Sequence, residues 1–415
     1  MSDYSIFGTI YRGGDPTLNQ VLSRAYRQRE RPLCMCVDNG AMMYIAKIGE
    51  RYVIKRMPLS GISHSPTCES YEPPPEVSGL GEVMGQAIQV DLGTGNIALK
   101  LDFSLAKIGS RTPPEPSGAL ADTVKTDAKR LTLRSMLHYL WDEAGLSKWS
   151  PRMEGRRSWA VVHKYLTQAA LGKFVKGAAL GEAMFVPEPY FLDKAGEIAS
   201  RRNAIFARLK TSGTNGRKLM MVVGEVKQIT EGRYGHKLIL KQLPDCPFMM
   251  DEAILKRMAK RFEIELTLWG SIETSHLTTI ATFGVGPAGV PVIEEMSLML
   301  TTGNWIPFAD LREKELVDAL TNEARHFVKC LRYNMADDRP LAAVVLTDTQ
   351  PVPTALYIDD GDPTDSDAGQ HADTVEELHT STSLASWTWA TGAGSPPEFP
   401  ASARRDSANA RTYGH

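Results

Sequence analysis

The sequence lacks the motifs typical of several common enzyme and membrane-protein classes. No Gly-x-Ser-x-Gly, His-Glu-x-x-His or Walker-type lysine occurs in its 415 residues, which argues against a serine hydrolase, a zincin protease and a P-loop NTPase. No apolar run reaches the roughly 18 residues of a membrane-spanning helix. The first residues also lack the basic and apolar regions of a secretory signal. The sequence therefore predicts a cytoplasmic protein without membrane contact.

Cysteine is scarce, and its few occurrences are clustered. Three of the five cysteines lie between positions 34 and 68, as a Cys34-x-Cys36 pair and a His64-x-x-x-Cys68 pair. Three thiolates and one imidazole complete a tetrahedral set for structural zinc and leave no open position for a substrate. We therefore predict a structural zinc site at these four residues. A disulfide from Cys68 to Cys34 or Cys36, or buried free thiols, are the alternatives, and the first is disfavoured in a reducing cytoplasm.

The residues between the two ligand pairs predict a β-hairpin. Residues 42–48 and 51–57 alternate apolar and polar around Gly49-Glu50, which suits a two-residue turn. The residue numbers of cross-strand partners in this hairpin add up to 99. If the same pairing continued beyond the two strands, Cys36 would lie opposite Ser63. The two cysteines of the first pair then share one face of an extended strand. All four ligands are expected at the open end of this hairpin.

The formal net charge of −2 conceals a strong asymmetry along the chain. Residues 125–241 contain 22 Lys or Arg against 10 Asp or Glu, a balance of +12. Residues 359–415 contain 10 acidic residues against three arginines, a balance of −7. A basic middle and an acidic tail favour a polyanion-binding surface. The alternative is a charged surface that is only solvated.

Periodicity and composition predict a mixed α+β chain in five segments. Strands and helices alternate irregularly after residue 181, and the last 55 or so residues have too little apolar content to form a core. The segments are an N-terminal helix with a zinc-binding β-hairpin module over 1–75, a β-hairpin and linker over 76–122, a central helical pair over 123–180, a C-terminal mixed α+β domain over 181–358 and a disordered acidic tail over 359–415.

Several individual elements follow from the same patterns. The helical pair suits either ordinary core packing or a winged-helix-like DNA module. The patterns predict one strand over 4–11, a helix from about 17 to 28 capped by Thr17, helices over 131–144 and 156–171, strands over 218–228 and 236–243, and a long helix over 310–330.

Basic residues on three of these elements are candidates for phosphate contacts. The last three in the set have the i, i+4 and i+7 spacing of one helical face. Solvated faces and charged protection of an exposed strand edge are the alternatives. The candidates are Arg51, Lys55 and Arg56 of the hairpin, Arg156, Arg157 and Lys164 of the second central helix, and Arg325, Lys329 and Arg332 of the long helix.

A series of motifs runs along the chain in the order CMC, MYIAKIGERYVIKRMP, HSPTC followed by SYEPP, HYLWDEA, RRSW, VVGEVK, NWIP and RHFVKCLRYN. This order resembles an uncharacterised bacterial family, domain of unknown function 1173, over roughly residues 20–358. The resemblance implies a bacterial cytosolic protein that accompanies integrating mobile elements, near DNA-processing machinery.

The C-terminal part is also similar to the core of PD-(D/E)xK nucleases, with Asp348 as the first metal-binding carboxylate. The following strand, TALYIDD, lacks the acid-x-Lys that this chemistry requires. Glu225 and Lys227 supply a Glu-x-Lys elsewhere, without a convincing partner aspartate. The sequence thus predicts a zinc-containing, non-catalytic nucleic-acid-binding protein. A metal-dependent nuclease and a protein-interaction scaffold are the alternatives.

Overall fold

The computed structural model describes residues 3–48, 51–91, 95–107, 129–209, 217–232, 235–336, 339, 341–359 and 377–403. Its mixture of helices and strands confirms the α+β class. The helices are α1 Leu18–Arg27, α2 Leu80–Val83, α3 Leu133–Glu143, α4 Trp159–Ala169, α5 Leu180–Ala183, α6 Ala195–Ala207, α7 Glu252–Arg261, α8 Glu263–Ser271 and α9 Leu311–Asn322. None of these helices is both long enough and apolar enough to cross a membrane.

The strands form several separate sheets rather than one continuous sheet. They are β1 Asp3–Ile6, β2 Thr9–Arg12, β3 Leu33–Cys34, β4 Ala41–Ile48, β5 Arg51–Arg56, β6 Ile88–Val90, β7 Ile97–Leu99, β8 Ala106–Lys107, β9 Lys148–Trp149, β10 Lys173–Val175, β11 Ala178–Ala179, β12 Met184–Phe185, β13 Arg217–Lys218, β14 Met220–Gly232, β15 Gly235–Leu240, β16 Phe248–Met250, β17 His276–Val285, β18 Pro291–Thr301, β19 Pro307–Phe308, β20 Phe327–Lys329, β21 Val344–Leu346, β22 Thr354–Asp359 and β23 Ala385–Ala390.

The N-terminal sheet has the strand order β2-β1-β3-β4-β5, and α1 packs on one of its faces. The predicted hairpin register is confirmed, because Met43 pairs with Arg56 and Ile48 with Arg51. Its turn, Gly49-Glu50, lies outside the described residues. Leu22 and Ala25 of α1 are buried against this sheet, as the amphipathic spacing of the helix requires.

Two details of the predicted N-terminal elements are wrong. Residues 4–11 form two strands, β1 and β2, because Phe7 and Gly8 adopt φ of 53° and 77° and turn the chain back. Thr17 stands at the helix N-cap but makes no capping bond with its side chain. Its hydroxyl instead donates to Asp15 Oδ1 over 2.6 Å.

The predicted central helices are present as α3 and α4, and their core is continuous with that of the large sheet. Trp141 of α3 and Leu166 of α4 belong to the same apolar cluster as Met221 and Val223 of β14. The indole Nε1 of Trp141 also donates to the carbonyl of Trp305 over 3.3 Å. The helical pair is therefore a layer on the sheet, because burying its tryptophans requires that sheet.

The large sheet is built from β14, β15, β16, β18 and β17, which pair in succession and close on themselves through the β14–β17 pairing. This confirms the predicted strands over 218–228 and 236–243 as an antiparallel pair. Phe206, Phe248 and Phe283 pack together beside these strands, with ring centroids 5.0, 5.1 and 6.3 Å apart.

The C-terminal sheet has the order β23-β22-β21-β20-β9. The predicted helix over 310–330 is wrong beyond Asn322, because Ala324 adopts a φ of 56° that ends the helix. The chain then becomes β20, with Phe327 buried at 1% exposure between two neighbouring strands. Tertiary pairing on both sides thus outweighs local helix propensity at this point.

The predicted disordered tail is partly corrected. Residues 360–376 and 404–415 lie outside the described residues, but β23 pairs in parallel with β22 along its whole length. Trp389 of β23 has no exposed surface, and its Nε1 donates to the carbonyl of Gly394 over 2.9 Å. The average composition of this segment is polar, but the buried side chain of this one tryptophan supplies the apolar contact that holds the strand on the sheet.

Candidate metal centre and the adjoining cleft

The four predicted metal ligands lie together in the N-terminal module. One ligand atom from each of Cys34, Cys36, His64 and Cys68 lies within 4.8 Å of the others, and this cluster is able to hold a metal ion. The Sγ atoms of Cys34 and Cys68 are 3.7 Å apart, and the Nδ1 of His64 lies 3.3 Å from the Sγ of Cys36 and 3.8 Å from that of Cys68.

These distances match the edges of a tetrahedron around one ion. Metal bonds of about 2.3 Å to sulfur and about 2.0 Å to nitrogen imply sulfur–sulfur edges of about 3.8 Å and sulfur–nitrogen edges of about 3.5 Å. A Cys34–Cys68 separation of 3.7 Å is well beyond a disulfide bond, and all the cysteines in the described residues are free. The geometry therefore favours metal ligation over the disulfide alternative.

The route by which the chain assembles the ligands differs from the expected one. Cys34 ends β3, where it pairs with Ala41, and Cys36 lies in the turn that leads to β4. The two cysteines thus approach each other across a turn and not along an extended strand. Gly40 closes that turn with a φ of 68°, which favours glycine. The chain also leaves the β4–β5 ladder after Arg56, so Cys36 and Ser63 are not cross-strand partners.

Burial controls the protonation of these ligands when no cation is bound. It raises the pKa of the Cys34 thiol to about 12 and also raises that of Cys68. Burial, with the nearby charges of Arg56 and Lys148, lowers the pKa of His64 to about 4. A neutral imidazole is ready to ligate, whereas the thiols must lose protons to a bound ion. The free-energy cost of desolvating this buried polar cluster is offset when a cation neutralises the thiolates.

A cleft of about 1500 Å³ lies next to this centre. One wall is formed by β5 and by the loop that follows Cys68, and the others by α3, β9, one face of α4 with the residues that precede it, and β20. Glu69 and Glu72 follow Cys68 in the chain, so this part of the wall and the candidate metal centre belong to the same loop. Lys148 of β9 donates to the carbonyl of Glu69 over 2.9 Å and so joins the two walls.

Five of the nine predicted phosphate-contacting residues line this one cleft. They come from three separate parts of the chain and are Lys55, Arg56, Arg156, Arg157 and Lys329. Arg156 is exposed and forms no ion pair within the described residues. Arg51 and Lys164 are exposed but lie outside the cleft lining.

The cleft cations differ in their partners. Arg157 donates to the carbonyls of Leu146 and Asn304 over 2.8 and 3.4 Å, and its guanidinium lies 5.5 Å from the Trp149 ring centroid. Lys55 donates to the carbonyl of Leu171 over 3.4 Å. Arg56, in contrast, is paired with the carboxylate of Glu72. Arg156, Arg157 and Lys55 therefore bring positive charge to the cleft without forming a salt bridge in the part of the chain that the structure describes.

The predicted basic row of Arg325, Lys329 and Arg332 does not exist, because these residues are not on one helix. Lys329 is buried on β20 and pairs with Glu313 over 2.9 Å. Arg332 donates to the carbonyls of Ala336 and Arg339 in the loop after β20. Arg325 is buried at 2% exposure in the turn before that strand. The interpretation of a phosphate-tracking helix face is wrong for this set.

The weak catalytic candidates are engaged in structural contacts. Both carboxylate oxygens of Asp348 bind Arg325, and Oδ2 also accepts from the backbone N–H of His326 over 3.0 Å. Glu225 is buried at 4% exposure and accepts from His276 Nδ1 and Lys241 Nζ, each over 2.6 Å. Lys227 is exposed at an irregularity in the β14–β15 ladder. These contacts leave neither carboxylate poised to hold a catalytic metal.

Sequence reasoning missed the polar residues on the inner walls of the cleft. They are Glu72, Tyr139, Asp142, Glu143 and Lys148, which come from a loop, a helix and a strand, while Lys173 pairs with Glu143 from outside the lining. Lys148 and Lys173 lie within the predicted basic stretch, and that charge balance was the only available signal. Their convergence depends on how α3 packs against the N-terminal module.

A comparison with protein families matches residues 4–392 to the family described as Protein of unknown function (DUF1173), so the chain belongs to that family. The match extends beyond the 20–358 expected from the motifs and includes β23. No curated protein and no solved structure matches the chain.

Proposed function

We propose that this protein binds a nucleic-acid strand in the cleft, without cleaving it, and that structural zinc holds the N-terminal wall in place. The observation that carries the proposal is the convergence of Lys55, Arg156 and Arg157 on one cleft, none of them with a carboxylate partner within the described residues. Cations that are left unneutralised in this way suit phosphate groups.

The dimensions and the lining of the cleft favour a strand over a small metabolite. Its volume of about 1500 Å³ exceeds the range of roughly 300–1,000 Å³ for ordinary small-molecule pockets. Tyr44 and Tyr165 contribute aromatic surface to the lining. Single-stranded nucleic acids are commonly bound by basic grooves that carry aromatic side chains, because bases stack on the rings.

Zinc is the ion we propose for the centre. Three thiolates with one imidazole are typical of structural zinc, which accepts a closed tetrahedral set. A cytoplasmic location keeps the thiols reduced and available. An association with mobile elements, as the motif resemblance implies, would provide a nucleic-acid partner. A nuclease is not favoured, because Asp348 and Glu225 are committed to Arg325 and His276.

The test is a binding titration of the full chain with a fluorescein-labelled single strand, in DNA and RNA versions, across a range of salt concentrations. We expect affinity to fall steeply with salt. Arg156→Ala should weaken binding and reduce the log–log salt slope by about one. Arg12→Ala is the matched control, because Arg12 is an exposed arginine on β2, at the sheet edge opposite β5. Absence of salt-dependent binding, or equal losses in both variants, would overturn the proposal.

A further inference from the structure

The inner walls of the cleft contain a cluster of cations around Glu143. Lys173, whose side chain is 3% exposed, pairs with Glu143 over 2.7 Å. Burial raises the pKa of Glu143, but the charges of Lys173, Arg56 and Lys55 outweigh it and the net shift is downward. Three cations from two different strands therefore surround a single carboxylate.

A second carboxylate in the cluster is also shared between cations. Glu72 pairs with Arg56, and its Oε1 lies 3.9 Å from Lys148 Nζ. Both carboxylates of the cluster are thus already used by the cations around them. Neither carboxylate is available to neutralise a further cation.

The count of charges leaves this cluster positive. Four cations, Lys55, Arg56, Lys148 and Lys173, face the two carboxylates of Glu72 and Glu143. The third carboxyl group nearby, Asp142, accepts from the hydroxyls of Ser147 and Tyr333, and burial raises its pKa to about 7. Burial and the charge of Lys173 lower the pKa of Lys55 to about 8, and the opposing charge of Glu143 offsets only part of this shift.

A buried hydroxyl without a hydrogen-bond partner lies in the same part of the cleft. Tyr139 lines the cleft at 3% exposure, and its hydroxyl has no hydrogen-bond partner among the described residues. Lys173 Nζ lies 5.5 Å from its ring centroid, and burial with the charges of Glu143 and Glu72 raises the pKa of the hydroxyl, which places it beside both carboxylates of the cluster. Buried polar groups are nearly always paired in folded proteins, so the Tyr139 hydroxyl is left with a hydrogen bond to offer to a molecule in the cleft.

We propose that Lys55, Lys148 and the Tyr139 hydroxyl form a subsite for a phosphomonoester dianion, and that the cleft holds the phosphorylated end of a strand. The assignment of this phosphate to the end of a strand rests on the proposed function. A terminal phosphate carries more negative charge than an internal phosphodiester, which suits a cluster in which four cations face the two carboxylates of Glu72 and Glu143. An internal phosphodiester must also continue into chain on both sides, which a site lined by the buried Tyr139 does not favour.

The experiment compares strands that differ only in their ends. The full chain is titrated with three versions of one internally labelled oligonucleotide: one with a 5′-phosphate and a 3′-hydroxyl, one with a 5′-hydroxyl and a 3′-phosphate, and one with hydroxyls at both ends. We expect one of the two phosphorylated ends to tighten binding at least tenfold, and the strand in which this occurs identifies the end that is recognised.

Tyr139→Phe removes only the hydroxyl, so it should abolish the preference for the phosphorylated end while the hydroxyl-ended strand binds as before. Tyr357→Phe is the matched control, since Tyr357 is also buried, at 2% exposure, but does not line the cleft. Circular-dichroism melting shows whether each variant is folded. A preference that survives in Tyr139→Phe overturns the subsite.

The outcomes separate this inference from the proposed function. If hydroxyl-ended strands bind with steep salt dependence and a phosphate at either end adds nothing, the subsite is overturned and strand binding stands. If no strand binds, but millimolar inorganic phosphate raises the melting temperature of the wild type and not that of Tyr139→Phe, the subsite stands and strand binding fails. If neither strands nor phosphate have an effect, both are overturned.

Discussion

Arg325 and Asp348 form a two-pronged ion pair that is almost completely enclosed. Arg325 Nη2 lies 2.9 Å from Asp348 Oδ1, Nε lies 3.0 Å from Oδ2, and the two side chains are 3% and 1% exposed. The pair joins the end of β21 to the turn before β20, and the hydroxyl of Ser402 reaches Oδ2 from beyond β23. Asp348 thus has a structural role that connects three distant parts of the chain.

Replacing Asp348 should lower the free energy of unfolding of the C-terminal sheet. It should not abolish a catalytic reaction. Asp348→Ala leaves the Arg325 guanidinium buried and unpaired, which we expect to cost about 3–5 kcal/mol in urea denaturation. Glu315→Ala is the control, because its pair with Arg312 is exposed and should be worth at most about 1 kcal/mol. Magnesium-dependent DNA cleavage that Asp348→Ala abolishes in a stably folded chain would contradict this assignment.

The metal centre should bind one zinc ion per chain. Elemental analysis of purified protein is expected to find about one zinc per chain, and Cys68→Ala should lose it, because three ligands remain where four are needed. Cys246→Ala should keep it, since Cys246 is a free cysteine outside the cluster. Equal metal content in the two variants would show that the ion is bound elsewhere.

Removal of the ion should loosen the cleft as well as the N-terminal module. Chelation withdraws the energy that holds Cys68, and with it the loop that carries Glu69 and Glu72. We expect hydrogen exchange to rise first at residues 61–72 and at the Lys148 contact to this loop, while β14 and β17 stay protected. Uniform deprotection of the whole chain would argue that the ion stabilises the fold globally.

The ionisation of Asp142 should lower the free energy of unfolding as pH rises. Its pKa is about 7 in the folded chain, against about 3.9 when unfolded, so the folded state keeps a proton that the unfolded state has lost. Stability attributable to this group is therefore fully present below pH about 4 and is lost as pH rises through about 7. Asp142→Asn should flatten that slope in urea titrations from pH 5 to 8 at fixed zinc concentration. An unchanged slope would mean that other groups dominate this pH range.

β23 should be required for stability although it lies in an acidic, low-complexity part of the chain. Trp389→Ala opens a cavity on the C-terminal sheet and is expected to cost about 3–5 kcal/mol. Ser386→Ala, at an exposed position of the same strand, should have little effect. A chain that ends after residue 403 should melt like the full chain, whereas one that ends at 360 should melt at a markedly lower temperature.

Local sequence determined those features whose physics is local. The four metal ligands followed from residue types and spacing, and the register of β4 and β5 followed from alternation and turn length. The helices α3 and α4 followed from apolar periodicity. In each case the interacting residues are near one another in the chain, or the ligand chemistry admits few alternatives.

Tertiary structure alone decided the remaining features. Residues 323–330 have the composition of a helix, but β9 and β21 provide pairing on both sides, so Phe327 and Lys329 become part of a strand. Burial also decided which basic residues are accessible to a ligand. Arg325 and Lys329 are paired inside the fold, whereas Arg156 remains at the cleft. The inner cation cluster joins residues about 120 positions apart, such as Lys55 and Lys173, and their proximity depends on long-range packing that no local pattern records.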